Sequence, residues 1–202
     1  MNIRLDSRKF IYAMIRSLSS TLCLLLLVLL NACAQTSEIT YPAEFEESFP
    51  VYEKALGDFH RPISSENELT QTYFDQGFQM MYAFTTEDAA RSFREAWKND
   101  PECAICYWGE AWAWGSYLNG RMRGDDSPRA YAAIQKAVEL AEDGHANEKE
   151  KDFIETMAVR YAAEFDDDEQ RTRDSLYAEA SGELYEKYPT DLDAGTFYGE
   201  AL

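Results

Sequence analysis

The sequence predicts an all-α fold in which antiparallel helix pairs stack side by side, and three observations carry that prediction. Beyond Asn67, proline thins out to Pro101, Pro128 and Pro189 while Ala, Glu and aromatic residues become abundant. Apolar residues there recur three and four positions apart, the spacing of one helical face. No stretch of strand length alternates apolar with polar residues, so no sheet competes with the helices.

The chain opens with a segment that is read as export machinery and not as fold. Arg4, Arg8, Lys9 and Arg16 stand against the single acid Asp6, and an apolar run from Leu22 to Leu30 follows. That order is the one a secretory signal uses. The run is shorter than the roughly 20 apolar residues a spanning helix needs. It ends in Leu30-Asn31-Ala32-Cys33, which resembles the lipobox of bacterial lipoproteins, with a small residue ahead of the cysteine. The resemblance implies a signal peptide over 1–32, cleavage before Cys33 and lipidation of Cys33. Ala34 follows where no Asp stands, which by similarity to proteobacterial sorting implies the outer membrane or its periplasmic face. The alternative is a short anchor helix that keeps an ordinary cysteine.

Cleavage there removes four of 19 basic and one of 37 acidic residues, leaving 15 against 36 and moving the net charge from −18 to −21. Such a charge repels nucleic-acid phosphates and anionic lipid surfaces, so nucleic acid is excluded as a partner and membrane contact falls to the lipid alone. Of four cysteines, Cys23 leaves with the signal and Cys33 takes the lipid. Cys103 and Cys106 remain for a disulfide, for redox chemistry or for simple burial.

Residues 33–68 are expected to form an irregular linker, because Pro42, Pro50, Gly57 and Pro62 forbid a long helix. Helices are expected near 69–84, 86–99, 101–117, 127–142, 147–165, 169–187 and 191–202, making one helical domain over 69–202. Asp100-Pro101 offers a cap followed by proline at a first helical position, Ser127-Pro128 marks another start, and Asn147 with Glu150 has capping-box spacing.

Tyr73, Gly77, Ala89, Phe93, Ala96 and Pro101 take the places that a large, a small, a small, an aromatic, a small and a proline residue hold in the tetratricopeptide repeat. The chain is similar to that family, whose period is about 34 residues. Tyr107, Ala111, Ala130, Ile134 and Ala137 continue the pattern in a second repeat. The step from Ala111 to Ala130 is 19 positions against 12 from Gly77 to Ala89, so about seven extra residues fall in Asn119–Asp126. A third pair over 147–188 and a start at Leu192 follow in weaker register. Segments such as Leu56-Gly57-Asp58-Phe59-His60-Arg61-Pro62 and Asp100 to Gly109 also resemble a group of longer bacterial repeat proteins. Leu192, Phe197, Tyr198 and Leu202 lack a polar capping element, so a shortened reading frame or a covering partner is expected.

The repeat resemblance implies a concave face lined by Phe74, Phe78, Met81, Trp108 and Trp112, a groove for a protein or peptide partner in the cell envelope. The same rings at helical spacing also suit a core. Cys103-x-x-Cys106 at a helix start has the spacing of thiol-disulfide exchange, but Tyr107 stands where haem attachment needs His, and no strand-helix alternation surrounds the pair. His60 and His145 lie outside zinc-binding spacings, and Asp166-Asp167-Asp168-Glu169 suits a helix N-terminus better than a calcium loop. Asn119–Asp126, with Arg121 and Arg123, is either a functional loop or a solvated turn. The expectation is a binding or scaffolding module with no cofactor, no metal and no enzymatic activity. The alternatives are an envelope thiol oxidoreductase and a small-ligand receptor, the latter recognised by Trp108 and Trp112 bordering a closed pocket instead of an open groove.

Overall fold

Four of the seven α-helices of the described residues begin where a short polar side chain takes up backbone amides that have no partner inside the helix, and the other three have no such side-chain cap. In the computed structural model, which describes residues 39–202, Asn67 accepts from the amides of Leu69 and Thr70 and opens α1, Glu68–Tyr82. Acids Glu87 and Asp88 occupy the first turn of α2, Thr86–Asn99. After α3, Ala104–Trp114, comes α4, Ser127–Glu142, with Pro128 in its opening turn. Asn147 and Glu150 form the expected capping box at the head of α5, Glu148–Ala158. Asp166 caps α6, Asp167–Lys187, and Asp191 caps α7, Leu192–Ala201. The described residues are thus all-α, and none of their helices is long and apolar enough to cross a membrane. The expectations for the signal segment and Cys33 lie outside the described residues.

The structure corrects two helix boundaries. Pro101 does not start a helix: Asp100 closes a turn by accepting from the Cys103 amide at 3.0 Å, and α3 begins three residues later than expected. The expected 147–165 helix stops at Ala158, because Arg160 and Tyr161 are drawn into the interior and the Arg160 carbonyl accepts from Gln170 Nε2 at 3.1 Å. Tertiary anchoring there overrides a local pattern that continues as helix.

Packing runs from neighbour to neighbour along the chain from α1 to α7, and alternate helices also meet, α1 with α3 and α3 with α5. The close approach has a specific cause. The Phe93 ring of α2 lies so near Gly77 of α1 and Gly109 of α3 that a Cβ would stand 2.9 Å and 2.4 Å from it. Without side chains at those two positions, the ring sits between three helices and is fully buried.

One compact unit runs from Tyr41 to Leu202, so most of the expected linker belongs to it. Its residues are irregular yet packed against the helices. Phe45, in a 3-10 turn over Ala43–Glu46, and Phe49 are buried, and Tyr73 donates to the Phe49 carbonyl at 2.8 Å. Gln76 accepts from the Tyr52 amide at 2.7 Å and donates to the Pro50 carbonyl at 3.1 Å. Gln71 donates to the Arg61 carbonyl and accepts from the Ile63 amide. These amide side chains act as surrogate backbone for a strap that lacks secondary structure of its own.

Candidate functional site

The five residues expected to line a groove are brought together, but not on an open face. Phe74 and Phe78 are fully buried, and Met81, Trp108 and Trp112 nearly so. The cover comes from two elements far away in sequence. From the strap, Phe59 stacks on Phe78 at 5.2 Å and the Arg61 guanidinium lies over Phe153 at 4.6 Å and Phe78 at 5.8 Å. From α7, Phe197 meets Trp112 edge-on at 4.7 Å and Trp108 at 5.5 Å. Arg61 then joins the two covers, pairing with Asp193 at 2.5 Å and Asp191 at 3.2 Å, while Tyr82 donates to Asp193 at 2.7 Å. The expected concave face is therefore corrected to a core closed by the chain's own strap and last helix.

What stays open is a cavity of about 380 Å³ between the end of α1, the end of α3 and its following loop, and α7. Met81 and Trp112 reach it from below, Phe197 and Gly199 line one side, and Tyr82, Phe84 and Leu118 stand at its rim. Phe84 is 52% exposed and has φ 61°, the left-handed region where glycine is usual. It closes α1 with a Schellman pattern, in which the Phe84 and Thr85 amides reach the Met81 and Met80 carbonyls at 3.0 Å each. An aromatic in that conformation costs stability, about 1–2 kcal/mol, offset in part by the contact of its ring with Tyr117 at 6.2 Å.

A second cavity, of about 400 Å³, adjoins the first across Tyr117, Leu118 and Glu200, which line both. It is polar, bounded by Ser116–Arg121, Arg160, Asp174, Tyr177 and Glu200. Arg160 is 4% exposed, stacks on Tyr177 at 4.3 Å, and faces Asp174 and Glu200 at 3.5 and 3.6 Å. Burial opposes its charge, yet Tyr161, Tyr177, Glu200 and Asp174 outweigh that, and its pKa is raised. Its Nε and Nη1 have no hydrogen-bond partner, nor do the hydroxyls of Tyr161 and Tyr177. Burial pushes the Tyr177 hydroxyl up to about 12 and also raises the Glu200 carboxyl, against the lowering effect of Arg160. Nothing in the sequence paired these groups, although a lone Arg between Val159 and Tyr161 marks a charge set among apolar neighbours.

The remaining expected sites are placed as follows. Cys103 and Cys106 form a disulfide across the first turn of α3, and both are buried. Cys103 borders a third cavity lined by Glu66, Asp100, Glu102 and His145. That acidic lining disfavours a thiolate. In the loop, Tyr117 and Gly120 exchange backbone hydrogen bonds at 2.9 Å, Met122 is buried, and Arg123 pairs with Asp126, which also pairs with Arg129. Asn119–Asp126 is thus a built element whose first half forms one wall of the polar cavity. His60 pairs with Asp75 at 2.8 Å, His145 lies 3.7 Å from Glu102, and the described residues hold no metal-binding cluster. Comparison with family models, with curated proteins and with solved structures returns no match.

Proposed function

We propose that this chain is a lipid-tethered binding module of the bacterial cell envelope that holds a small ligand in the paired cavities between α1, α3 and α7. The observation that carries the reading is the mouth of the apolar cavity, where Phe84 stands exposed in a left-handed conformation beside Leu118, above Trp112. Residues held in sparsely populated backbone conformations cluster at ligand sites. Cavities of this size fall within the range of about 300–1,000 Å³ typical of small-molecule sites.

The array is of the tetratricopeptide kind in this reading, supported by the contacts between alternate helices and by the Phe93 ring seated against two glycines. Cys33 carries the lipid, on the strength of its resemblance to the lipobox. The module binds and does not catalyse, and the disulfide serves structure. A protein or peptide partner is the second reading, favoured by the exposed apolar area of Tyr82, Phe84 and Leu118 at the rim.

Toluene titration followed by ligand-observed NMR tests the cavity. Saturable 1:1 binding, lost in Gly199→Leu, is the expected result, since a Cβ at Gly199 meets nothing within 4 Å and the added side chain fills the cavity without disturbing the fold. Unsaturable binding, or binding indifferent to that substitution, would sink the small-ligand reading. Photo-cross-linkers at Phe84 and Leu118 test the second reading, which requires one protein captured from both positions.

A further inference from the structure

We infer that the apolar cavity between α1, α3 and α7 takes a small organic cation, an aryl- or alkylammonium, held among the rings of Tyr82, Phe84, Trp112, Tyr117 and Phe197 beside Glu200. This rests on the small-ligand reading above, confines it to the apolar cavity and names the ligand class.

Five of the ten residues that line the cavity are aromatic. Tyr82 and Phe197 both stand nearly perpendicular to the Trp112 ring, at 75° and 80°, with centroids 6.0 and 4.7 Å from it, so the three rings form a corner. At the rim, Phe84 meets Tyr117 at 6.2 Å. Aromatic faces carry negative charge density, and several rings around one space attract a cation that a single ring holds only weakly. Several other aromatic clusters of the described residues already hold a cation. Arg91 lies over Phe49 at 4.6 Å, Arg94 over Tyr41 at 4.0 Å, Arg129 over Trp114 at 4.9 Å and Arg160 over Tyr177 at 4.3 Å. No arginine or lysine of the described residues lies over any of the five rings around the cavity.

Charge then selects the sign of the ligand. Among the described residues that line the cavity, Glu200 is the only acidic or basic one. Its carboxylate stands 3.6 Å from Arg160, beyond good hydrogen-bond distance. Burial raises its pKa by more than Arg160 lowers it, so the carboxylate is short of positive charge where it stands. Arg160 itself does not line this cavity and lies on the polar side of Glu200, against Tyr177 and Asp174. An anion here would meet a carboxylate and the negative faces of the rings, and the net charge of −18 repels it at longer range. A neutral hydrocarbon fills the space but leaves Glu200 uncompensated. An ammonium group on an apolar body meets both needs.

Titration of the full-length chain in a bulky non-ionic detergent, with micelles alone as the blank, compares three ligands of one shape: phenyltrimethylammonium, tert-butylbenzene and benzenesulfonate. The cation is expected to bind 1:1 and about tenfold more tightly than its neutral isostere, with the sulfonate weaker than both. Phe84→Gly suits φ 61° and so keeps the fold while removing one wall; it should weaken the cation by about threefold. Glu200→Gln should cut the preference for the cation over tert-butylbenzene by about fivefold. Should circular dichroism show that variant unfolded, Phe84→Gly alone reads the site. Binding of the cation unchanged in every folded variant would overturn the placement. If tert-butylbenzene or benzenesulfonate binds as tightly as the cation, the ligand class is wrong and the small-ligand reading stands. Binding of none of the three overturns both.

Discussion

Replacing Glu110 by Met probes a buried carboxylate that accepts three hydrogen bonds in the core. Glu110 is 2% exposed and accepts from Arg94 Nη1 at 2.7 Å, Trp97 Nε1 at 2.7 Å and Trp114 Nε1 at 3.2 Å. Arg94 in turn lies over Tyr41 at 4.0 Å and Trp97 at 5.0 Å, so this pair ties the strap to α2 and α3. Removing one partner of a buried pair leaves an uncompensated charge and costs about 3–5 kcal/mol. Two indole N–H groups also lose their acceptor, a cost that overlaps with the first and is not added to it. In a chain of this size that corresponds to a fall in Tm of about 10 °C, measurable by calorimetry or circular dichroism. Adding Arg94→Met should recover a large part of the loss, since both charges are then gone and apolar groups of similar length fill the space. If Arg94→Met instead lowers Tm further by its full individual effect, the two residues do not couple, and the picture of a strap fastened by this ion pair is wrong.

Three further outcomes follow from the packing and the charges. Phe197→Ala should cost about 3 kcal/mol in denaturant unfolding, because the ring sits among Phe78, Trp108, Trp112 and Phe153; a loss under about 1 kcal/mol would mean that α7 does not close the core. Cys103→Ser with Cys106→Ser should cost about 2 kcal/mol, the value for so short a loop, and leave ligand binding intact, whereas loss of a thiol-disulfide exchange activity in that variant would revive the oxidoreductase alternative. Asp191 is half-buried, which raises its pKa, but hydrogen bonds from Arg61 and Lys149 outweigh this and hold the carboxyl below its ordinary value. Its contribution to stability is therefore complete above the unfolded pKa of about 3.9 and is lost as pH falls through the folded value. A Tm profile between neutral and strongly acidic pH should show that acid loss, reduced in Arg61→Gln, and an identical profile in the variant would remove the clasp from the explanation.

The helices were legible because their determinants are local. Asn147 and Glu150 sit three positions apart and form the capping box the spacing predicts, and Asp166 caps α6 as the acidic run implies. Gly77 and Phe93 were identified from their repeat positions, and the ring does lie against that glycine. The errors arise where distant residues intervene. Pro101 reads as a helix start, but Asp100 is engaged by Ser65 and by its own turn. The covering of the expected groove residues was hidden for the same reason: the positions of Phe78, Trp108 and Trp112 are readable, whereas the arrival of Phe59 and Phe197 on top of them is not.

By itself the sequence determined the all-α class, most of the helix starts and the apolar faces, because caps and three-to-four spacing act within a turn or two of the chain. It also set the strongly acidic charge, which depends on composition alone. Only the tertiary structure decided which apolar face is covered and by what, and which charges meet. Arg61 and Asp193 are 132 positions apart, and Arg160, Asp174 and Glu200 come from three separate segments. Such meetings depend on how helices stack and on the excluded volume of side chains like Phe93, and a one-dimensional pattern carries neither.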